Sequence, residues 1–520
     1  MDTLLNKFSY DVNSTITGFD RIVFKGMLKP IMYAQGMELF LRQRGVLNKE
    51  YKEYTTKQTS MIIDSANKYV RNERGEDITY IPSSYTRKEE LAHERQRKEN
   101  IKEGLIGVWS CVESCNTFKG TYSNKQNHPE ISFVRGKCKH LYFYFDDITY
   151  GFMSIRLQTW APYEVQVALN GREWLRRSLD KAGCNYVING NKFLYIRDYD
   201  LAQELLNEQP KADFGLMLFD FLSLVFPCKE EVVGGLNYYW TYWQTEVAKD
   251  YIFKDVTRLN ELMYDLQLHA MITGTGDRIL KYFGTPVKLD GMPFRDNNPE
   301  IITKTNNWYD GTRVRHWSNK NSVKFYNEHN ILRFEMTMND PSRFKVHRYT
   351  EKQSVKDKKK LLPMRKGVVD SSNRFEVSKG IINSFTEHMA AFEEKTRFGE
   401  IIEPVVTSIT DKGKKYRGLD LFGKDKELLR IIADPIFNVE AITNAQIQKM
   451  VTGTTWAKKM TRKQLSGRIS RHLVLLRKHG IIRKLPNQRK YALTDKGRKL
   501  TAALQVASAS AINDLLKSAA

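Results

Sequence analysis

The sequence predicts an α+β protein of several domains, with a β-rich, mostly antiparallel central body that carries helices, and a mainly helical C-terminal domain. A chain of 520 residues is too long for one ordinary core. Segments between 105 and 170, and again after 311, alternate apolar and polar residues as strands do. Near the C-terminus, apolar residues instead recur at helical spacing.

The pattern changes three times along the chain, which predicts four consecutive regions. The first contains a short strand, Arg21–Lys25, among polar and helical stretches, and the third is rich in Lys around 356–360. We expect an N-terminal α/β region at 1–104, a β-rich nucleic-acid-binding body at 105–350, a basic loop with a helix and a linker at 351–420, and the C-terminal domain at 421–520.

Composition and charge restrict the function classes. With 41% apolar and 12% aromatic residues, the chain can bury real cores and is not expected to be disordered. Its formal net charge is +23. Residues 401–520 hold 24 Lys and Arg against 9 Asp and Glu, a net charge of +15. Charge concentrated in one part of the chain predicts binding to a phosphate backbone, whereas charge that only aids solubility would be spread over the whole chain.

Several function classes lack their sequence signals. The N-terminus does not have the pattern of a signal peptide, and no apolar run reaches the length of a membrane span. Five cysteines in such a long chain argue for a reducing compartment, so the cytoplasm is the expected location. The chain has no P-loop, GxGxxG, GxSxG or HExxH motif, which leaves nucleotide hydrolysis, dinucleotide redox chemistry and common hydrolase chemistry without support.

Within the first three regions the pattern predicts helices as well as strands. The apolar segment 212–228 is interrupted by Asp213 and Asp220 and predicts a buried core helix rather than a membrane span. The aromatic-rich segment 237–266 is also expected to be helical. The other expected helices are at 30–44, 54–74, 85–102, 171–182, 199–207 and 376–394.

The C-terminal domain begins with three predicted helices, at 424–433, from Thr443, and at 461–479. Thr461 and Gln464 have the spacing of a capping box, and Gly480 stands where a C-cap glycine belongs. The apolar face of the third helix consists of Leu465, Ile469, Leu473 and Leu476.

A β-hairpin and a last helix are expected next. Residues 481–493 predict two strands with a turn at Pro486-Asn487, and a helix begins near Thr494. This order predicts a winged helix-turn-helix. The segment "GII…YALTDKGR" resembles the one that closes the wing in MarR-like bacterial regulators, and the whole chain resembles a bacterial group labelled MarR-like from this tail alone. In MarR-like proteins the long helix enters the major groove and the wing touches the backbone or minor groove, which implies a nucleic-acid partner.

Basic side chains of the third helix and the wing are expected to make this contact. Arg can fork onto guanine edges, and Lys neutralises phosphate. An alternative is a winged helix that docks onto another protein, with these side chains only solvated. The candidate nucleic-acid-binding residues are Arg462, Lys463, Arg468, Arg471, Arg477 and Lys478 on the helix, and Arg489 and Lys490 at the wing.

A second resemblance covers Gly311–Thr337, with the sequence GTRVRHWSNKNSVKFYNEHNILRFEMT. It is similar to rolling-circle replication initiators of plasmids and filamentous phages, in which "G-S/T-R…S…+-x-Y-N/D-K" is followed after a turn by "L/W-R-x-E". The resemblance implies backbone contacts from Arg313 and Arg315. The chain departs from the initiators in two ways: Glu328 replaces their usual Lys, and their common His-hydrophobic-His metal pair is missing.

The chemistry implied by this resemblance is strand nicking. A Tyr hydroxyl, here that of Tyr326, would attack the scissile phosphate, and Mg²⁺ or Mn²⁺ held by carboxylates such as Glu335 would polarise it. Lys324 shares a strand face with Tyr326, and a hairpin turning at His329-Asn330 can bring Glu335 to that face. The alternative is that Tyr326 is a sheet aromatic and that Arg333 and Glu335 form a cross-strand charged pair.

Cysteine and histidine residues suggest a structural zinc site. Three thiolates and an imidazole make a plausible tetrahedral set, although this spacing is not that of a standard knuckle. Buried core cysteines and, less expected, a redox site are the alternatives. The four residues are Cys111, Cys115, Cys138 and His140.

The central body adds two further candidate nucleic-acid contacts, Arg156 on a predicted strand and Arg172 at the start of a predicted helix, each with a Trp nearby for base stacking. Together these features predict a nucleic-acid-binding protein that recognises a DNA element or a structured RNA, with DNA favoured and no membrane partner. The alternatives are a Tyr- and metal-dependent strand-nicking endonuclease and a MarR-like transcriptional regulator.

Overall fold

The computed structural model describes residues 2–124, 127–285, 300–308, 311–350, 359–390, 398–434, 437, 441–458, 460–485 and 488–509. They belong to two compact units. The first consists of Met1–Asp11, Phe253–Glu328 and Asn383–Ala520, and the second of Val12–Ile252 and His329–Ile382. The four consecutive regions expected from the sequence do not coincide with these units, because each unit combines segments that are distant in the chain.

The strands are numbered in chain order. They are β1 (Val12–Met27), β2 (Thr79–Tyr80), β3 (Gly104–Ser123), β4 (His128–Asp147), β5 (Gly151–Gln158), β6 (Val165–Asn170), β7 (Tyr186–Asn189), β8 (Lys192–Ile196), β9 (Tyr239–Phe253), β10 (Ile301–Trp308), β11 (Gly311–Ser318), β12 (Asn321–Glu328), β13 (Ile331–Met338), β14 (Lys345–Arg348), β15 (Lys360–Pro363), β16 (Ile409–Asp411), β17 (Lys414–Tyr416), β18 (Ile482–Lys484) and β19 (Tyr491–Leu493).

The α-helices alternate with these strands, which gives the mixed α and β content expected from the sequence. They are Thr3–Lys7, Ala34–Gln43, Tyr51–Arg74, Lys88–Glu99, Gly171–Lys181, Tyr199–Glu208, Phe214–Val225, Lys229–Val233, Val256–Thr273, Gly276–Tyr282, Ser371–Ala390, Phe398–Val406, Lys426–Ile432, Asn444–Val451, Arg462–Lys478 and Asp495–Ala509.

The second unit is built on a large sheet with the strand order β13-β9-β1-β6-β5-β4-β3-β2. Pairing is antiparallel between β13 and β9, between β1 and β6, and along β6-β5-β4-β3, whereas β2 and β3 are parallel. Because Arg21 pairs with Asn170, the N-terminal strand lies in the same sheet as the central body. It is also longer than the short strand expected, since it begins at Val12.

Two helices and a small hairpin cover part of this sheet. Residues of Gly171–Lys181, of Tyr199–Glu208 and of the β7-β8 hairpin form an apolar cluster with Ile16, Ile252 and Ile331 of the sheet. Burial of this apolar surface stabilises the layer by about 25 cal/mol per Å². The cluster places β1, β9 and β13 in the interior of the second unit, where the charged residues described below are found.

Two sequence predictions on secondary structure are corrected. The aromatic segment from residue 237 is strand β9 up to Phe253, and only then a helix. Residues 247–253 of β9 are buried on both faces of the sheet, so this part of the strand does not show the alternation of a half-exposed strand. The expected linker 395–420 instead contains Phe398–Val406 and the β16-β17 hairpin, and Val405 and Leu419 are core residues.

The apolar helix Phe214–Val225 is amphipathic rather than wholly buried. Phe214, Leu218 and Val225 are buried, but Leu216 and Phe219 are exposed. Within the described residues, every helix is too short or too polar to cross a bilayer. The Lys-rich loop at 356–360 and the Pro486-Asn487 turn lie outside the described residues, apart from Lys359 and Lys360.

In the first unit, β10, β11 and β12 form an antiparallel sheet with one face covered by helices. Val314, His316 and Phe325 are buried on that face, and His316 and Phe325 contact the ring of Phe385 with centroid distances of 5.6 and 6.0 Å. On the opposite face the register places Arg313 beside Tyr326 and Arg315 beside Lys324. The expected same-face placement of Lys324 and Tyr326 is confirmed.

Candidate nucleic-acid interface

The C-terminal module, defined as the described residues between 398 and 509, concentrates positive charge in one continuous stretch of sequence. From Ala441 to Thr494 the chain has 13 Lys and Arg residues and no Asp or Glu. Such a stretch attracts polyanions. It contains the helices Asn444–Val451 and Arg462–Lys478 and the β18-β19 hairpin, which makes these elements the candidate interface.

Both helices of this interface begin with a capping box. Thr443 accepts a hydrogen bond from the backbone N–H of Gln446, whose side chain accepts one from the N–H of Thr443. Thr461 and Gln464 repeat the arrangement, with 2.9 Å between the Thr461 nitrogen and the Gln464 side-chain oxygen. A cap of this kind contributes about 1 kcal/mol. The third helix ends before Gly480, whose φ of 73° lies in the left-handed region, as the sequence predicted.

The third helix, Arg462–Lys478, buries one face and exposes the other. Its expected apolar row is confirmed, because Leu465, Ile469, Leu473 and Leu476 all belong to the core of the module. Helical geometry places Lys463, Gly467 and Arg471 opposite that row. A Cβ added at Gly467 would meet only the Arg471 guanidinium, at 3.8 Å, so the described chain leaves this face open for a ligand to approach.

The β18-β19 hairpin is fastened to the start of the second helix. Lys484 pairs with Tyr491, and Tyr491 exchanges two backbone hydrogen bonds with Ile442, at 2.7 and 2.9 Å. Ile442 immediately precedes Thr443, the N-cap of the second helix. The hairpin and that helix are therefore held together by the same residue pair, which fixes the position of the exposed hairpin side chains.

The segment after the hairpin explains part of the motif noticed in the sequence. Leu493 is buried, and Thr494 caps the last helix by accepting a hydrogen bond from the N–H of Gly497 at 3.0 Å. A Cβ on Gly497 would come within 2.1 Å of the Ile481 carbonyl oxygen, so only glycine permits this close approach. The spacing Leu-Thr-x-x-Gly thus packs the helix Asp495–Ala509 against Ile481, the residue just before β18.

Most of the predicted contact residues of the module are exposed. Arg462, Lys463, Arg471 and Arg477 on the third helix and Arg489 and Lys490 at the hairpin all reach solvent. Arg483 and Lys484, which the sequence reasoning did not select, are also exposed on β18. Their positive charge and their position in the predicted hairpin, between the apolar residues Ile482 and Leu485, were visible in the sequence and could have identified them. Eight exposed cations thus lie on one helix and the adjoining hairpin.

Arg468 and Lys478 are instead engaged inside the module. The guanidinium of Arg468 stacks on the ring of Trp456 at 4.0 Å from its centroid and donates a hydrogen bond of 2.7 Å to the Trp456 carbonyl. Lys478 forms an ion pair with Asp411. Both side chains are therefore better explained as positioning the third helix than as direct contacts to a ligand.

A buried carboxylate, that of Asp425, joins the start of the helix Lys426–Ile432 to the third helix. Asp425 accepts two hydrogen bonds from Arg417, at 2.7 and 2.8 Å, and lies 3.4 Å from Nε2 of His472. Burial alone would raise the pKa of Asp425, but the hydrogen bonds from Arg417 and His472 lower it well below its usual range. The carboxylate therefore stays ionised and holds the basic helix against the rest of the core.

A second basic surface lies in the first unit, on the face of β10-β11-β12 opposite Phe385. The guanidinium of Arg313 lies 4.8 Å from the ring centroid of Tyr326, and that of Arg315 lies 5.1 Å from the ring of Trp317. Lys324 also approaches the Tyr326 ring, at 5.5 Å. Arg313 and Arg315 are partly exposed, whereas Lys324 and Tyr326 are buried. The face combines cations and aromatic rings, as nucleic-acid-binding surfaces do.

In the second unit, three carboxylates converge. Oxygen atoms of Asp20, Glu246 and Glu335 lie within 4.8 Å of one another, and Glu335 is 1% exposed. Such oxygens are the ligands that Mg²⁺ and Mn²⁺ prefer. The sequence singled out only Glu335, because Asp20 and Glu246 reach it through strand pairing that no local motif reveals. Lys324 and Tyr326 belong to the first unit and are described there.

A buried salt-bridge network adjoins these carboxylates. Arg333 pairs with Asp250 at 2.5 Å and with Asp20 at 2.8 Å. Burial would raise the pKa of Asp250, but Arg333 and Arg172 together lower it. Asp250 also lies 3.0 Å from Arg172. The expectation that Arg172 contacts nucleic acid is therefore wrong, because its side chain is fully buried in this network.

Of the zinc residues expected from the sequence, three come together. Sγ of Cys115 lies 2.8 Å from Sγ of Cys138, which lies 4.0 Å from Nδ1 of His140. Cys111 is opposite His140 in the β3-β4 ladder but falls outside the group of donor atoms that lie within 4.8 Å of one another.

Arg156, the remaining predicted nucleic-acid contact, is half-buried on β5, opposite Tyr142.

The pKa values of the two thiols and the imidazole in this group are shifted in different directions. A hydrogen bond from Cys138 lowers the pKa of Cys115, and the same bond, with burial, raises the pKa of Cys138. Burial and then the charge of Arg156 lower the pKa of His140 to about 4. The imidazole is therefore neutral at neutral pH, which is the form that binds metal ions.

Comparison of the chain with protein-family models, with curated proteins and with solved structures found no match. The resemblances noted in the sequence therefore stay predictions, and function has to be inferred from the residues described above.

Proposed function

We propose that this protein binds double-stranded nucleic acid, DNA in preference to RNA, through a C-terminal module that works as a winged helix. The observation that carries the proposal is the exposed cationic surface of Arg462–Lys478 and the adjoining hairpin, within a stretch of sequence without acidic residues. Lys463 and Arg471 lie opposite the buried row of the helix, where they can meet phosphates or base edges.

The preference for DNA follows from groove dimensions. The major groove of B-form DNA, about 12 Å wide, admits an α-helix, whereas the major groove of A-form RNA is too deep and narrow. A helix of 17 residues is about 25 Å long and can lie along such a groove. Arg489 and Lys490 at the hairpin would then contact the sugar-phosphate backbone beside it.

Equilibrium binding of the full chain to matched nucleic acids tests this proposal. We expect the DNA duplex to bind at least tenfold more tightly than an RNA duplex of the same sequence. Selection from a random DNA pool would then show whether one element is preferred, as a specific regulator requires. Absence of binding to every duplex would favour the alternative of a protein-docking module, and equal binding to both duplexes would contradict insertion of the helix into the major groove.

The second candidate function is strand nicking. The face of β10-β11-β12 favours it, because Arg313 and Lys324 lie beside the ring of Tyr326 there. The phenolic oxygen of Tyr326 would attack phosphorus, the bond to the 3′-oxygen would break, and the products would be a 5′-phosphotyrosine and a free 3′-hydroxyl. Lys324 and Arg313, whose charges lie within 6 Å of the Tyr326 ring, would hold the scissile phosphate beside the hydroxyl.

Replacement of Tyr326 by Phe tests this candidate. If nicking occurs, Tyr326→Phe should abolish the covalent adduct with labelled DNA in the presence of Mg²⁺ or Mn²⁺ and leave equilibrium binding unchanged, since only the hydroxyl is lost. Tyr251→Phe, at another buried sheet tyrosine, is the matched control and should keep the adduct. If the wild-type protein forms no adduct on a DNA that it binds, the nicking function is excluded.

A further inference from the structure

The Cys115, Cys138 and His140 group lies on one face of the long β3-β4 hairpin. Cys138 and His140 are two residues apart on β4 and so point to the same side. Cys115 on β3 is opposite Gly136, which makes it a diagonal neighbour of Cys138 on that side. The two thiols are in direct contact, with 2.8 Å between their Sγ atoms. The observed pairing of β3 with β4 therefore brings two thiols and an imidazole together on one face of the hairpin.

The chemistry of the three donors is that of a site for a borderline-soft cation. Zinc binds thiolate sulfur at about 2.3 Å and imidazole nitrogen at about 2.0 Å in tetrahedral geometry. The present Sγ–Sγ separation of 2.8 Å would have to widen by about 1 Å to match such a tetrahedron, a movement within reach of small side-chain rotations.

The environment of His140 points independently to a ligand. The side chain is 1% exposed, and Nε2 has no hydrogen-bond partner among the described residues. Nδ1 lies 3.2 Å from the Cys138 carbonyl oxygen, to which it can donate. A buried ring nitrogen with a free lone pair is costly unless something is bound there. A backbone carbonyl contact on one ring nitrogen commonly orients metal-binding histidines. Because the ring nitrogen that lies 4.0 Å from Sγ of Cys138 is Nδ1, binding through Nε2 requires the ring to turn toward the sulfurs.

We propose that Cys115, Cys138 and His140 bind one zinc ion, which cross-links β3 and β4. Cys111 is not a ligand: its thiol lies 3.8 Å from the Val112 carbonyl oxygen, outside the group. The two thiolates neutralise the charge of the cation, which permits Arg156 to remain nearby. The fourth position is left to an exchangeable ligand, as in zinc sites with three protein donors. The site does not depend on the function proposed for the C-terminal module.

Elemental analysis of the full chain, purified without chelator, tests the zinc site. We expect about one equivalent of zinc in the wild-type protein. Cys115→Ser and Cys138→Ser should each lower the zinc content at least fivefold. Cys111→Ala and Cys228→Ser, which change cysteines outside the group, should retain it. Loss of zinc from Cys111→Ala as well would overturn the three-ligand assignment.

Replacement of zinc by Co²⁺ gives a readout that does not depend on protein yield. A tetrahedral site with two thiolates should show a thiolate-to-cobalt charge-transfer band, and this band should be weakened in Cys115→Ser while Cys111→Ala keeps it. The proposal would be overturned if the purified protein contains no metal and gives no cobalt band. That holds whether non-reducing peptide mapping finds Cys115 and Cys138 as free thiols or joined in a disulfide.

Discussion

Reversing two charges on the exposed face of the third helix is expected to weaken duplex DNA binding by the full chain at least a hundredfold. The variant is Lys463→Glu combined with Arg471→Glu. Both side chains are exposed, opposite the buried leucine row, so the fold should tolerate the change. Each lost contact to a phosphate or base edge costs about 1–3 kcal/mol, and the new carboxylates repel the backbone.

The matched control carries the same change in net charge elsewhere in the module. Lys424→Glu combined with Lys426→Glu alters two exposed lysines at the start of the helix Lys426–Ile432, outside the third helix and the hairpin. Fluorescence anisotropy with one labelled duplex should show less than a fivefold loss for this control. An equal loss in both variants would mean that binding follows net charge alone, and the proposed surface would be abandoned.

Removal of the Asp250 carboxylate is expected to destabilise the second unit strongly. Asp250 is fully buried between Arg333 and Arg172, at 2.5 and 3.0 Å. Asp250→Ala removes the carboxylate that both buried guanidinium groups contact, and breaking a buried pair in this way costs about 3–5 kcal/mol. Thermal unfolding should show the transition of this unit lowered by roughly 10 °C.

An exposed ion pair in the same unit provides the control for Asp250. Asp77 pairs with Arg71 at 2.5 Å, but both side chains are more than half exposed, so Asp77→Ala should leave the transition in place. Because the pKa of Asp250 is lowered in the folded protein, its stabilisation is present at neutral pH and is lost as the pH falls below about 4. A transition of Asp250→Ala that matches the wild type would contradict this role.

Local signals in the sequence predicted the C-terminal module most successfully. The Thr461 and Gln464 capping box, the leucine row and Gly480 all act within one or two helical turns, so their spacing alone determines where the third helix begins, what it buries and where it ends. The roles of Arg468 and Lys478 escaped prediction. Their partners, Trp456 and Asp411, are 12 and 67 residues away, and the sequence does not indicate these contacts.

Long-range pairing explains what the sequence could not indicate in the second unit. Asp20, Glu246 and Glu335 are far apart in the chain and meet only because β1, β9 and β13 belong to one sheet. The same pairing buries Arg172 against Asp250, whereas charge and neighbouring aromatics suggested an exposed contact residue. Residue type gives the chemistry of a side chain, but burial depends on which strands become neighbours.

The salt dependence of duplex binding by the full chain tests the proposed DNA-binding surface most directly. If about six of the exposed cations on the third helix and hairpin neutralise phosphates, the logarithm of the binding constant should fall with the logarithm of salt concentration with a slope near −5. Affinity would then drop roughly a thousandfold between 50 and 200 mM salt, and Lys463→Glu with Arg471→Glu should make the slope shallower by about two. Binding that hardly changes over this range, or an unchanged slope in the variant, would contradict a phosphate-binding surface on this helix.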